Sequence, residues 1–196
     1  MDLVKYAIET GYTSIDTAAA YENEEFVGQG IRESGAKRED LFITTKLRNR
    51  YHGYDTTLFA FDESMKKLGL ETLDLYLIHW PGEDMYLPTW KAFVRLYEEK
   101  RIRAIGVSNF YPQHIDVLYG NRRNAGGGQI ETHPYLHQNV VIDYCRSIIS
   151  GRSVNPLMVG GEVLKDPSRP LRKSMENLRR RRFCAGIRKT ALYLSQ

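Results

Sequence analysis

Residues 73–80 read LDLYLIHW, and the pattern within this run decides the fold. Leu73, Leu75, Tyr76, Leu77, Ile78 and Trp80 are apolar, with little alternation. A strand with one wet face alternates apolar and polar residues. A near-continuous apolar run fits a strand buried on both faces, as in a parallel sheet flanked by helices. The run closes on His79, a polar group at the carboxyl end of the predicted strand.

Similar runs lie on either side. YTSIDTA (12–18), DLFITTKL (40–47), IRAIGVSNF (102–110) and GQIETHPY (128–135) read as strands. Between them the apolar period lengthens to three and four residues, the mark of an amphipathic helix. EEFVGQGIRESG (24–35) sets Phe26, Val27, Gly30 and Ile31 on one face, with Gly35 as a stop signal. YDTTLFAFDESMKKLG (54–69) repeats Leu58, Phe61, Met65 and Leu68, and Gly69 closes it. TWKAFVRLYEEK (89–100) and NVVIDYCRSII (139–149) are further helices. Strand then helix, repeated, predicts a parallel sheet with crossover helices, its strands near 14–17, 41–46, 74–79, 103–108 and 128–132.

Polar residues mark the strand ends: Asp16, Lys46, His79, Asn109, and Gln129 with Glu131. The first intervals are 30, 33 and 30 residues, close to the ~30 residues of one βαβ unit. In a parallel barrel all strands point one way, so these ends converge on one face, where such barrels place their sites. A polar group beside an apolar core is costly unless paired, and five such ends at this period argue for a shared site.

Asp16, Tyr21, Lys46 and His79 together form a proton-donating constellation. A phenol is a weak acid near neutrality, with a pKa of about 10. A neighbouring ammonium is expected to favour the phenolate and lower that pKa. A carboxylate keeps the ammonium charged and in place, and an imidazole can orient a carbonyl oxygen. Such a group can protonate an oxygen as hydride reaches its carbon, and hydride requires a cofactor.

At these residues the chain resembles the aldo-keto reductase family. The resemblance covers roughly residues 3–145 and runs through GYTSIDTAAAYENEEFVGQGIRESGAKREDLFITTKL, GLETLDLYLIHWP, IRAIGVSNF and QIETHPYLHQ in order. It resembles most the small prostaglandin F synthase-like or 2,5-diketogluconate reductase-like branch. The resemblance implies a (β/α)8 TIM barrel that binds NADPH without a Rossmann domain and reduces aldehydes and ketones. It implies Tyr21 as general acid, Lys46 and Asp16 as the groups that tune it, and His79 as the group that orients the carbonyl. It also implies that Ser108, Asn109 and Gln129, with Asp16, serve the nicotinamide.

Departures from the family shape further expectations. Arg48 stands where many relatives have a tryptophan, and Gly126, Gly127 and Gly128 precede Gln129 in place of an apolar run. Val154 stands where a ring-stacking aromatic is expected, and Asn155 where a serine is. The chain reads as starting inside the first helix, without the first strand, and as lacking the eighth strand and the basic loop that grips the adenosine phosphate. The expectation is an incomplete barrel with about six of eight βα units over residues 1–164, followed by a basic, divergent helical segment over 165–196. A catalytically inactive remnant with impaired cofactor binding remains the alternative function.

Composition narrows the partners. Apolar residues make up 42% and charged residues 27% of the 196, ordinary for a globular chain. No apolar run approaches the ~18 residues of a membrane span, and the first residues read as an amphipathic helix, not a signal peptide. Cys145 and Cys184 show no framework, which points to a reducing, cytoplasmic setting. His52, His114, His133 and His137 show no ligand spacing, so no metal is expected. Glycines in GQGIRESG fit helix packing, since their spacing is not a dinucleotide fingerprint. The run Arg179–Arg182 carries a weak nucleic-acid alternative. The partner expected is a small carbonyl substrate, and the chain a monomer.

Overall fold

The computed structural model describes residues 3–82, 85–119, 127–131, 138–148, 151–155 and 191–193. The strands are β1 (Ser14–Asp16), β2 (Phe42–Leu47), β3 (Leu73–Ile78), β4 (Ile102–Ser108), β5 (Gly127–Glu131), β6 (Gly151–Asn155) and β7 (Ala191–Tyr193). The helices are α1 (Leu3–Glu9), α2 (Glu24–Glu33), α3 (Tyr54–Leu68), α4 (Tyr86–Glu98), α5 (Pro112–Tyr119) and α6 (Asn139–Ile148). Among the described residues the sheet runs β6-β5-β4-β3-β2-β1-β7, and each neighbouring pair is parallel. The sheet curls into part of a (β/α)8 barrel, and side chains of β1 and β5 meet across its concave face.

Strand β3 stands at the centre of this order and is covered on both sides, as its apolar run predicts. Leu73, Tyr76, Leu77 and Ile78 are fully buried. On its outer face Tyr76 stacks on Phe93 of α4 at 4.6 Å and meets Phe61 of α3 edge-on at 5.2 Å. Aromatic pairs of these geometries add about 0.5–1.5 kcal/mol each beyond their buried area.

Asp74, the one charge in the run, has a structural explanation. Its carboxylate accepts from Arg38 at 2.5 Å, from Arg103 at 2.8 Å and from the Ile43 amide at 2.8 Å. Arg38 also donates to the carbonyls of Leu41 and Thr72. One buried carboxylate thus ties β2, β3 and β4 together near their amino ends, the end opposite the predicted site.

Two glycines are required by geometry. Gly69 takes a left-handed conformation (φ 68°) after α3 and donates to the Met65 carbonyl, a helix end that glycine adopts at little cost. Gly28 lies where α2 meets the end of α3, and a Cβ there would sit 2.3 Å from the Leu68 carbonyl oxygen. For Gly28 this agrees with the packing reading, whereas Gly35 has open space around it and a positive φ (68°), as a helix stop does.

Three readings differ from the structure. Phe26 is exposed, because the buried stripe of α2 is Glu24, Val27, Gly28, Gly30 and Ile31, and Phe26 falls outside it. Helix α5 was not anticipated; Pro112 opens it, a residue suited to a first helical turn. Ala191–Tyr193, expected within a helical segment, form strand β7 along β1. An open strand edge presents unpaired backbone groups, and a short parallel partner satisfies them. The remainder of 165–196, including Arg179–Arg182 and Cys184, lies outside the described residues, as do His133 and His137. The glycines before Gln129 do not prevent pairing: Gly127 and Gly128 register with Gly106 and Val107 of β4. No described helix is long and apolar enough to cross a membrane.

Candidate active site

Each strand delivers its polar terminus to the same end of the sheet. Asp16 is the last residue of β1, Lys46 the last but one of β2, and His79 follows β3. Ser108 ends β4, Asn109 follows it, and Gln129 lies in β5. Tyr21 enters from a short 3-10 turn (Ala19–Tyr21) just after β1. The turn ends because Glu22 adopts a left-handed conformation (φ 55°).

Lys46 is fully buried and carries the central charge. Its Nζ donates to Asp16 Oδ1 and, at 2.9 Å, to the Thr17 carbonyl. The second oxygen of Asp16 accepts from Gln129 Nε2 at 2.9 Å. Burying two ions is costly unless they are paired and further hydrogen-bonded; here the two are paired, and Thr17 and Gln129 add a hydrogen bond to each. The Lys46 ammonium also lies 5.3 Å from the centre of the Tyr21 ring. The ring meets His79 edge-on, 5.6 Å between centres and 82° between planes. The four residues of the constellation therefore lie together at one end of the sheet.

The protonation states follow from burial. The Tyr21 phenol is pushed up to about 12, chiefly by burial and secondly by the Asp16 carboxylate. The lowering expected from Lys46 is not seen: the lysine is paired with Asp16, whose charge raises the phenol further. His79 is pushed down to about 4 by burial and then by the charge of Lys46. At neutral pH the site holds a protonated phenol and a neutral imidazole.

The β4 side of the cleft is a polar shelf. Asn109 has a left-handed backbone (φ 61°), which asparagine tolerates better than most residues. That turn lets its Nδ2 donate to the His79 carbonyl at 3.0 Å and to Ser108 Oγ at 3.1 Å. Its own amide donates to the Gln129 carbonyl at 2.9 Å. Ser108, Asn109 and Gln129 are thus assembled beside Asp16, Ser108 and Gln129 being buried.

Sequence reasoning passed over Thr17, whose carbonyl holds Lys46 and whose hydroxyl donates to Asn23 Oδ1 at 2.6 Å. Nothing in its residue type signals a backbone acceptor. Trp80, half exposed beside His79, was also passed over, although an aromatic directly after a strand-end histidine was a usable signal. Val154 and Asn155 lie in β6, opposite Ile130 and Glu131 of β5. No group of three or more His, Cys, Asp or Glu among the described residues is placed to hold a metal ion.

Comparison with known proteins gives this geometry a family. The aldo/keto reductase family matches residues 1–177. The chain is 52% identical over 159 residues to glyoxal reductase of Bacillus subtilis, covering 80% of this chain and 58% of that protein. It is 51% identical over 144 residues to the 9,11-endoperoxide prostaglandin H2 reductase of Trypanosoma cruzi, covering 73% of this chain and 51% of that protein. Its fold matches the Bombyx mori aldo-keto reductase solved in complex with NADP (TM-score 0.76, 38% identity), over 90% of this chain and 64% of the other. The chain therefore spans little more than half the length of these curated relatives. With its parallel half-barrel and converging strand ends, the chain belongs to the aldo/keto reductase family.

Proposed function

We propose that this chain carries the reducing site of an NADPH-dependent carbonyl reductase, which converts aldehydes or ketones to alcohols with Tyr21 as proton donor. The observation that carries the reading is the Tyr21 ring set between the Lys46 ammonium and His79, with Asp16 holding the lysine. The site would lie within residues 1–164, and 165–196 would form a separate basic segment.

The cofactor reading is tested by the donor set of the shelf. A nicotinamide carboxamide needs one donor and one acceptor. Ser108 Oγ accepts from Asn109 and keeps its own hydrogen to donate, while Asn109 Oδ1 stays available as an acceptor. These groups fit the carboxamide, with Gln129 and Asp16 beneath. NADPH, when bound, supplies the hydride. The protein's own residues do the rest.

A neutral His79 donates one ring N–H to the substrate carbonyl oxygen and orients it. As charge develops on that oxygen, Tyr21 gives up its phenolic proton. A phenol that ionises near 12 stays loaded with its proton at neutral pH. An alkoxide is a far stronger base than a phenolate, so the transfer still runs downhill. The nearby ammonium steadies the phenolate left behind. Asp16 holds the Lys46 side chain in place beside the ring.

The test is Tyr21→Phe with NADPH and a reactive aldehyde. General acid catalysis contributes about 10²–10⁴-fold, and turnover should fall by that range with circular dichroism unchanged. Most activity surviving in a folded Tyr21→Phe protein would sink the proton-donor role. Absence of NADPH binding by fluorescence titration would favour the inactive-remnant alternative.

A further inference from the structure

Arg48 lies two residues beyond Lys46, and its backbone remains extended (φ −69°, ψ 136°) although β2 ends at Leu47. Side chains two apart in an extended chain share a face. Arg48 therefore shares the face of Lys46, one step of about 7 Å closer to the rim. A second contact fixes it there. Arg48 Nη1 donates at 2.8 Å to Oε1 of Glu22, the residue directly after Tyr21. The ion pair thus joins the residue after Tyr21 to the residue two beyond Lys46.

This pair resembles a ligand held in place. Glu22 is 65% exposed and is the one partner of the Arg48 side chain among the described residues. An exposed ion pair is weak and exchanges readily. Arg48 uses one nitrogen, leaving Nη2 and Nε, and a guanidinium fork suits a carboxylate in bidentate fashion. The segment from Lys46 to Tyr54 holds Lys46, Arg48 and Arg50 and no acidic residue. Arg50 is engaged with Tyr51, whereas the Arg48 guanidinium is held by Glu22 alone among the described side chains.

We propose that Arg48 selects carbonyl substrates carrying a carboxylate at the far end of a short chain, and that Glu22 holds its place until such a substrate arrives. The inference rests on the reductase reading above and adds the substrate's chemical class. The reacting carbonyl meets Tyr21 and His79, and the distal carboxylate replaces that of Glu22 on the guanidinium.

The experiment compares 4-oxobutanoate with butanal, which has the same chain length and no charge. In Arg48→Met the ratio of kcat/KM for 4-oxobutanoate to that for butanal should fall about tenfold or more, carried by KM. Arg48→Lys should restore part of it, and Glu22→Gln should raise it by removing the competing carboxylate. An unchanged ratio in Arg48→Met overturns the inference. A second measurement does not depend on turnover. In proton–nitrogen spectra the Arg48 Nε–H signal, assigned by its loss in Arg48→Met, should shift with 4-oxobutanoate and not with butanal. That shift without reduction of either aldehyde would retain the subsite and sink the reductase reading. Equal response to both aldehydes, or to neither, overturns the subsite.

Discussion

Gln129 donates its side-chain amide to Asp16 at 2.9 Å, although β5 and β1 stand four strands apart in the sheet. In a flat sheet four steps would separate them by about 19 Å. The bond exists because the sheet curls, bringing the carboxyl ends of distant strands onto one centre. Through Asp16 the curvature reaches Lys46 and so the phenol.

Lys46→Met should expose the cost of that centre. The Asp16 carboxylate would stay buried with only the Gln129 amide against it. Breaking one side of a buried pair costs about 3–5 kcal/mol, which urea denaturation should read as a lower midpoint at an unchanged slope. Asp16→Asn combined with Lys46→Met should recover much of the loss. If the double variant is no more stable than Lys46→Met, the two charges are not coupled.

Stability should depend on pH through His79. Its folded pKa is about 4, below the ordinary 6.5, so the unfolded chain binds more protons between those values. The stabilisation from a neutral, buried imidazole is present above pH 6.5 and is lost as pH falls toward 4. The stability difference between the protein and His79→Gln should therefore shrink over that window. A difference constant from pH 7 to 4 would mean that the imidazole titrates as in water.

Gly28→Ala sets two effects against each other. Helix propensity alone would stabilise the alanine variant by about 1 kcal/mol. The new methyl would lie 2.3 Å from the Leu68 carbonyl oxygen, and backbone must move to admit it. Overpacking of this kind costs about 1–3 kcal/mol, so net destabilisation is expected in thermal melts. A raised melting temperature would show that α2 and α3 separate cheaply.

Asp74 should matter chiefly through one amide. Arg38 and Arg103 are partly exposed and can turn to water, whereas the buried Ile43 N–H cannot. Asp74→Ala leaves that donor unmet, at a cost of about 1–3 kcal/mol. Asp74→Asn keeps an acceptor for it and should cost less. Equal losses would assign the stabilisation to the arginines instead.

The sequence by itself determined the alternation of strands and helices, because each depends on local apolar period. Strand β3 (Leu73–Ile78) has both faces covered, as the lack of alternation required. The 30-residue spacing of polar strand ends was equally legible, since a parallel sheet delivers every such end to one side. Tertiary structure decided what those groups do to one another. Residue types suggested that Lys46 would lower the Tyr21 pKa. In the folded chain the lysine is claimed by Asp16, and burial drives the phenol upward. Asp74 is the one charge in that strand, and its three partners lie 29 to 36 residues away. Phe26 read as core until the packing of α2 on α3 chose a stripe centred elsewhere. Burial and charge pairing depend on which distant segments meet, and no local period carries that information.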